Sequence, residues 1–144
     1  MKPEEQTTIL VDKIKAEGHR ITKVRQNLIE LFSTHNHPLS VQDLISLLAN
    51  LDIHVNKTTI YREISFLLLH KVIAELDLLE GKKRYEIYNE NHRHHHLVCV
   101  QCKEIECVDT PGEFAGLEKW LKATRKFKVT SHLLEFFGLC RKCQ

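Results

Sequence analysis

No stretch of this 144-residue chain approaches the roughly 18 consecutive apolar residues of a membrane-spanning helix. Its first residues, MKPEEQTT, carry charge where a secretory leader needs an apolar run, so the expected location is the cytoplasm. A strong charge imbalance is also missing. The net charge is +2 and the isoelectric point is near 8.3, below the value of about 9 that often marks nucleic-acid-binding domains. Composition alone therefore does not announce a nucleic-acid binder. There is no internal repeat and no extended low-complexity tract. No cysteine precedes Cys99, and the odd total of five in a chain without an export signal argues against a disulfide framework. What remains is the composition of a soluble globular protein, 42% hydrophobic and 28% charged, long enough for one ordinary domain or two small ones.

The charge that is present is concentrated. Basic residues cluster at Lys13 to Arg25, at Lys82-Lys83-Arg84 and at Lys119 to Lys128. The first half reads as helices followed by a hairpin. Residues 5–17 fit a helix with Ile9, Val11 and Ile14 as apolar positions, ending at Gly18. Thr22 can cap a second helix, in which Val24, Leu28, Leu31 and Phe32 recur at helical spacing until His37-Pro38 breaks it. Ser40-x-x-Asp43 then precedes Val41, Leu44, Ile45, Leu48 and Leu51, a capping signature ahead of an apolar stripe that belongs in a core.

The segment NKTTIYREISFLLLHK has two faces. Ile60, Ile64, Leu67 and Leu68 make an apolar stripe, while Thr58, Tyr61, Arg62 and Ser65 share the other side. Hydroxyl, aromatic and guanidinium groups near a helix N-terminus suit base-edge and phosphate contacts in a major groove, although a mixed polar face is also what any solvated helix shows. The sequence that follows, VIAELDLLEGKKRYEIY, reads as two short strands around Glu80-Gly81-Lys82-Lys83. Three helices and a hairpin with a basic tip describe a winged helix-turn-helix. The third helix would enter the groove while Lys82, Lys83 and Arg84 reach phosphates, each contact adding salt-sensitive affinity. The candidate DNA contacts are Arg20, Thr22, Arg25, Thr58, Thr59, Tyr61, Arg62, Lys82 and Lys83.

Polar Asn89-Glu90-Asn91 marks a hinge, giving a winged-helix domain over 1–88 and a second domain over 92–144. In the second, LVCV and IECVD read as strands, Thr110-Pro111-Gly112-Glu113 opens a helix with Leu117, Trp120 and Leu121 on its apolar side, and KFKVT and HLLEFFGL read as two more strands. Cys99 and Cys102 form one C-x-x-C and Cys140 and Cys143 another. Zinc takes four tetrahedral ligands, and each C-x-x-C turn offers two thiolates to one side of the ion. Such a staple suits a domain with a small core. The same four ligands could hold an iron–sulfur cluster, and two disulfides would need oxidising conditions; a thioredoxin-like pair would need a βαβ unit that is not visible. Structural Zn²⁺ is the reading that the spacing favours.

Just before Cys99 stands His92-Arg93-His94-His95-His96. On a strand, alternate residues face opposite ways, so His94 and His96 share one face and His95 the other. Imidazoles two apart on a strand can chelate one ion. With KTTIYREISFL, GKKRYEIY, HRHHHLVCVQC and TSHLLEFFGLC-x-x-C in this order, nearly the whole chain resembles the ferric uptake regulator superfamily of metal-dependent transcription factors. The resemblance implies an α+β homodimer: an N-terminal winged helix-turn-helix that binds double-stranded promoter DNA, then a small C-terminal α/β dimerisation domain. It assigns Cys99, Cys102, Cys140 and Cys143 to the structural zinc. It assigns His37, Glu86, His94 and His96 to a regulatory site for a second divalent ion (Fe²⁺, Zn²⁺ or Mn²⁺), and His95 and His132 to a further site. Tyr61 and Arg62 match its recognition-helix pair.

Two departures from the family pattern matter. Relatives usually read C-x-x-C-Gly-Lys-x-Ile-Glu, and here Cys102-Lys103-Glu104-Ile105-Glu106-Cys107 stands instead. Aligned without a gap, Cys107 takes the acidic ligand's place. With one residue deleted, Glu106 takes it and Glu113 joins His95 and His132. The deletion also aligns Ile105, so Glu106 is the expected ligand and Cys107 a small core residue. Arg93 stands where a histidine often ligates the further site. An ion shared by the two domains would fix the angle between them and hence the spacing of paired recognition helices on half-sites. The expectation is a metal-activated repressor of iron, zinc or manganese homeostasis genes. A peroxide sensor of the same superfamily is the alternative within this class. A zinc-stabilised metallohydrolase or a metal-storage protein is the alternative outside it. No general base in a defined pocket motif is visible, so no catalytic residue is assigned and an enzyme is not expected.

Overall fold

The computed structural model describes residues 1–78, 81–89, 94–109, 114–130, 132 and 134–144. The chain divides into two compact units, Met1–Glu90 and Asn91–Gln144. Among the described residues no helix is long and apolar enough to cross a membrane.

The first unit is helical with a small antiparallel sheet: α1 (Pro3–Ala16), α2 (Lys23–Thr34), β1 (Leu39–Ser40), α3 (Val41–Asn50), α4 (Lys57–Leu69), β2 (Ile73–Asp77) and β3 (Lys83–Ile87). Local chemistry sets the helix ends. Pro3 opens α1 with Glu4 and Glu5 in its first turn, where the helix dipole favours negative charge. Gly18 closes it at φ +84°, and the His19 N–H returns to the Ile14 carbonyl at 3.2 Å. The Thr22 hydroxyl accepts the Arg25 N–H at 3.1 Å. Ser40 and Asp43 form the full reciprocal capping box, at 3.2 Å from the Asp43 N–H to the Ser40 hydroxyl and 2.8 Å from the Ser40 N–H to the carboxylate. Asn56 caps α4 by accepting the Thr59 N–H at 2.8 Å.

The apolar stripes meet in one cluster. Leu28, Ile29 and Phe32 of α2, Leu44 and Leu48 of α3, and Ile60, Ile64 and Leu67 of α4 are buried there with Ile14, Leu39, Val72 and Ile73. Leu51, assigned to the α3 stripe by periodicity, is instead exposed, because the helix ends at Asn50 and Leu51 is its C-cap. Strand order is β1-β3-β2, and the β2–β3 hairpin pairs Ile73 with Ile87 through to Asp77 with Lys83. These helices and this hairpin are the winged helix-turn-helix read from the sequence.

The second unit comprises β4 (His94–Cys99), β5 (Ile105–Asp109), α5 (Ala115–Arg125) and β6 (Glu135–Gly138). Its sheet runs β5-β4-β6, with β4 antiparallel to β5 and parallel to β6. The fold is α+β, as expected, but two details differ. KFKVT is not a strand: Lys126 ends α5 in a left-handed conformation at φ +55°, and residues 126–130 follow without regular structure. The last strand starts at Glu135 rather than His132. The helix opening expected at Thr110 to Glu113, together with Arg93, Glu90, Asn91 and the His94 side chain, lies outside the described residues. No residue of α5 is buried, and Leu117 and Trp120 on its apolar side are 51% and 52% exposed.

Candidate metal centres and DNA-binding surface

The cysteine site is assembled from two turns. Cys99 ends β4, and the chain reverses through Lys103 at φ +64° before β5. This is a conformation that glycine adopts at no steric cost and lysine does not. The Cys99 N–H donates to the Glu104 carbonyl, and the Lys103 N–H to the Cys99 carbonyl, each at 3.0 Å. The second turn follows β6, where the Cys143 N–H meets the Cys140 carbonyl at 2.9 Å. All four sulfur atoms lie within 4.8 Å of one another, with Cys102 and Cys140 Sγ 3.6 Å apart. Backbone N–H groups of Cys102 and Cys140 lower the Cys99 pKa to about 6, whereas the neighbouring Cys140 thiol pushes Cys143 up to about 12. Crowded thiols cannot all ionise alone; a dication among them reverses that penalty. Four sulfurs in a closed set fit a structural zinc ion.

The expected regulatory ligands fall in both units. In the first, Leu39 pairs with Tyr85 and Ser40 with Arg84, so the register carries His37 toward the Glu86–Ile87 end of β3. Burial and then the neighbouring His35 lower the His37 pKa, which favours the neutral imidazole that metals require. In the second, His95 and His96 are both buried, on alternate sides of β4. The β4–β5 register pairs His94 with Asp109, His96 with Cys107 and Leu97 with Glu106. Directly opposed residues share a face, so Glu106 stands beside Leu97 and not beside His96. The register thus differs from the expectation of Glu106 as the β5 ligand: the residue opposite His96 is Cys107, half-buried.

At the further site, His95 and His132 do come together, ring centroids 5.7 Å apart, with Phe114 4.9 Å from His132. Glu113 lies outside the described residues. The carboxylate found beside His132 is Glu118, at 3.2 Å, which the sequence reading missed; its spacing on α5 carried no motif.

The DNA-facing candidates divide as well. Thr58, Tyr61 and Arg62 are exposed on α4, opposite buried Ile60, Ile64 and Leu67, while Thr59 is half-buried. A cleft of about 350 Å³ between α4 and the hairpin is lined by Lys57, Tyr61, Lys82, Lys83 and Gln42. Lys57, at the first position of α4, and Gln42 are additions to the expected set; the Asn56 cap was the available signal for Lys57. Arg20 and Lys82 are exposed. Lys83 is exposed too, but its ammonium sits 2.7 Å from Glu75, which raises its pKa. Two arginines turn inward. Arg25 donates to Glu63 at 2.8 Å and 3.3 Å and to the Arg20 carbonyl at 2.7 Å, with its guanidinium 3.5 Å over the Phe66 ring. It clamps α2 to α4, so the side chain expected among the DNA contacts is held within the unit. Arg84, expected at the basic tip, is buried and donates to the Pro38 carbonyl at 3.0 Å and to Asp43 at 3.3 Å.

The model of the ferric uptake regulator family matches residues 16–137 of this sequence. The chain belongs to that family. Membership makes it a metal-responsive transcriptional regulator with a DNA-binding domain followed by a dimerisation domain. It is 28% identical over 140 residues to the ferric uptake regulation protein of Bacillus subtilis (strain 168), covering 92% of this chain and 93% of that one. It is 27% identical over 135 residues to the peroxide-responsive repressor PerR of Staphylococcus aureus (strain USA300), covering 93% and 88%. Its fold matches the Helicobacter pylori ferric uptake regulator, a structure described as revealing three functional metal-binding sites, with a TM-score of 0.81 at 24% identity over 99% of this chain and 94% of that one.

Proposed function

We propose that the chain is a homodimeric, metal-activated repressor whose regulatory ion is held by a mixed nitrogen, oxygen and sulfur set. His37 and Glu86 would come from the first unit, and His94, His96 and Cys107 from the second. The observation that carries this reading is the pairing of buried His96 with Cys107 across β4 and β5. Cys99, Cys102, Cys140 and Cys143 hold a structural Zn²⁺, and the protein works in the cytoplasm, where promoter DNA lies. The regulatory ion adds affinity for DNA only to the extent that it binds the DNA-competent arrangement more tightly than the others. A dimer then presents two α4 helices to successive half-sites, with Thr58, Tyr61 and Arg62 at base edges and Lys57, Lys82 and Arg20 at phosphates.

A thiolate donor in the regulatory set shifts its preference from manganese and iron toward zinc, because sulfur is the softer ligand. The target genes on this reading are those of zinc homeostasis. Stripping the regulatory ion while leaving the cysteine site loaded, then titrating promoter binding with Fe²⁺, Zn²⁺ and Mn²⁺ in parallel, tests it. Zn²⁺ should restore salt-sensitive DNA binding at the lowest free concentration, and Cys107→Asp should move that preference toward Fe²⁺ or Mn²⁺. Binding to promoter DNA that ignores all three ions would sink the reading. Release of DNA by peroxide only from the Fe²⁺-loaded protein would favour the peroxide-sensing alternative.

A further inference from the structure

A second group of metal-ligating side chains lies within the DNA-binding unit and includes none of the metal ligands assigned above. Ligand atoms of Glu17, His19 and His70 all lie within 4.8 Å of one another. Glu17 and His19 flank Gly18, whose positive φ of +84° turns the chain at the end of α1. His70 is the C-cap of α4, more than fifty residues further along the sequence. His70 Nδ1 is in hydrogen-bond contact with the Glu17 carboxylate, and the His19 and His70 rings stand 4.5 Å apart between centroids. Phe66 backs both rings, at 5.1 Å from His19 and 4.2 Å from His70.

Two nearby cations are already engaged. Lys13 donates to the His70 carbonyl at 2.9 Å and to the Lys71 carbonyl at 3.4 Å, and Arg25 is held by Glu63 at 2.8 Å. Neither ammonium nor guanidinium bonds to the Glu17 carboxylate. Two imidazoles and one carboxylate, gathered from two elements onto one point, form the donor set that borderline divalent ions take, with a remaining position for water.

We infer that Glu17, His19 and His70 form a further binding site for a divalent transition ion of the zinc type, joining the end of α1 to the end of the recognition helix. With only three protein ligands at the surface, the site fills at higher free metal than one with a complete protein set. It therefore gives the DNA-binding unit a second metal threshold, fixing the far end of α4 when the ion is abundant. The consequence for DNA rests on the reading of the chain as a regulator; the binding of the ion does not.

The test is Co²⁺ titration of the full chain with its cysteine site loaded with zinc, followed by visible absorption. Wild type should bind one more Co²⁺ than Glu17→Gln/His70→Gln, and the His96→Ala chain should still bind that extra ion. Equal stoichiometry and affinity in wild type and the double variant would overturn the site. Should the variant unfold, imidazole NMR of the wild type decides. Added Zn²⁺ must shift the His19 and His70 ring resonances together, and their failure to move at saturating Zn²⁺ overturns the proposal. A failure of metal-dependent promoter binding leaves both readouts intact, so the two readings fail separately.

Discussion

The two units solve the problem of stability in opposite ways. In the first, the helices bury leucine, isoleucine and phenylalanine in one cluster, and side-chain caps satisfy the N-terminal ends of α2, α3 and α4. In the second, the described residues that are buried are Val98, Cys99, His95 and His96. Large apolar groups there (Trp120, Phe127, Phe136, Phe137 and Leu139) remain exposed. Apolar burial at about 25 cal/mol per Å² is the main term that holds the first unit together. The second has less of it, and the four cysteine sulfurs gathered within 4.8 Å offer ligand bonds in its place. A sensor gains from this division, because a reading head with its own apolar core does not need the structural zinc in order to fold.

The largest effect that should break this contrast is loss of the cysteine site. Cys140→Ser, or a strong chelator, should release zinc and unfold the second unit. Removing a structural zinc forfeits on the order of 10 kcal/mol of binding free energy. Far-UV circular dichroism should retain the helical signal of α1 to α4, and a concerted loss of both units would show that they are not independent. Next in size is Leu44→Ala or Leu48→Ala, each expected to cost about 2–5 kcal/mol in denaturant unfolding of the first unit while leaving zinc content unchanged.

Smaller effects belong to the surface. Arg62→Ala should weaken operator binding by about 1–3 kcal/mol and relax sequence preference. Lys82→Ala should weaken all sequences alike and reduce the salt slope by about one. Arg25→Ala should lower stability more than it lowers the salt slope, because its guanidinium joins α2 to α4. Smallest is Asp43→Asn, at about 1 kcal/mol for a lost cap. Burial pushes Asp43 up, but the Ser40 hydroxyl and N–H and the Arg84 guanidinium outweigh it, so its carboxyl titrates below the ordinary value of 3.8. Its contribution is complete above that value and fades as pH falls through the folded one. Acid unfolding should show a shallower limb in the variant, and identical limbs would remove Asp43 from this role.

What could be read beforehand follows the same division. Helical periodicity, the caps at Thr22 and Ser40 and the basic hairpin are local signals, and local signals are strong where a core of regular spacing forms. The cysteine set was legible because a pair of C-x-x-C turns is itself a geometry. The inward turn of Arg25 and Arg84 was not legible, since a basic residue looks alike in sequence whether it faces phosphate or Glu63. For Cys107 the sequence left two placements open. Its pairing with His96 is settled by the register across β4 and β5, and a one-residue shift of register exchanges the two faces of a strand. KFKVT failed as a strand because alternation over five residues carries little weight against a helix end such as Lys126.

The spacing of the cysteine ligands also sets an order of events during synthesis. Cys140 follows Cys102 by 38 residues. At roughly 5–20 residues per second, about 2–8 s separate their emergence from the ribosome. Through that interval Cys99 and Cys102 wait as an open pair of thiols, without the Cys140 N–H that reaches Cys99 Sγ at 3.4 Å in the folded chain. The first unit has by then been made in full. Each new chain therefore passes through a stage at which its reading head can fold while its metal-dependent half is unfinished and open to oxidation.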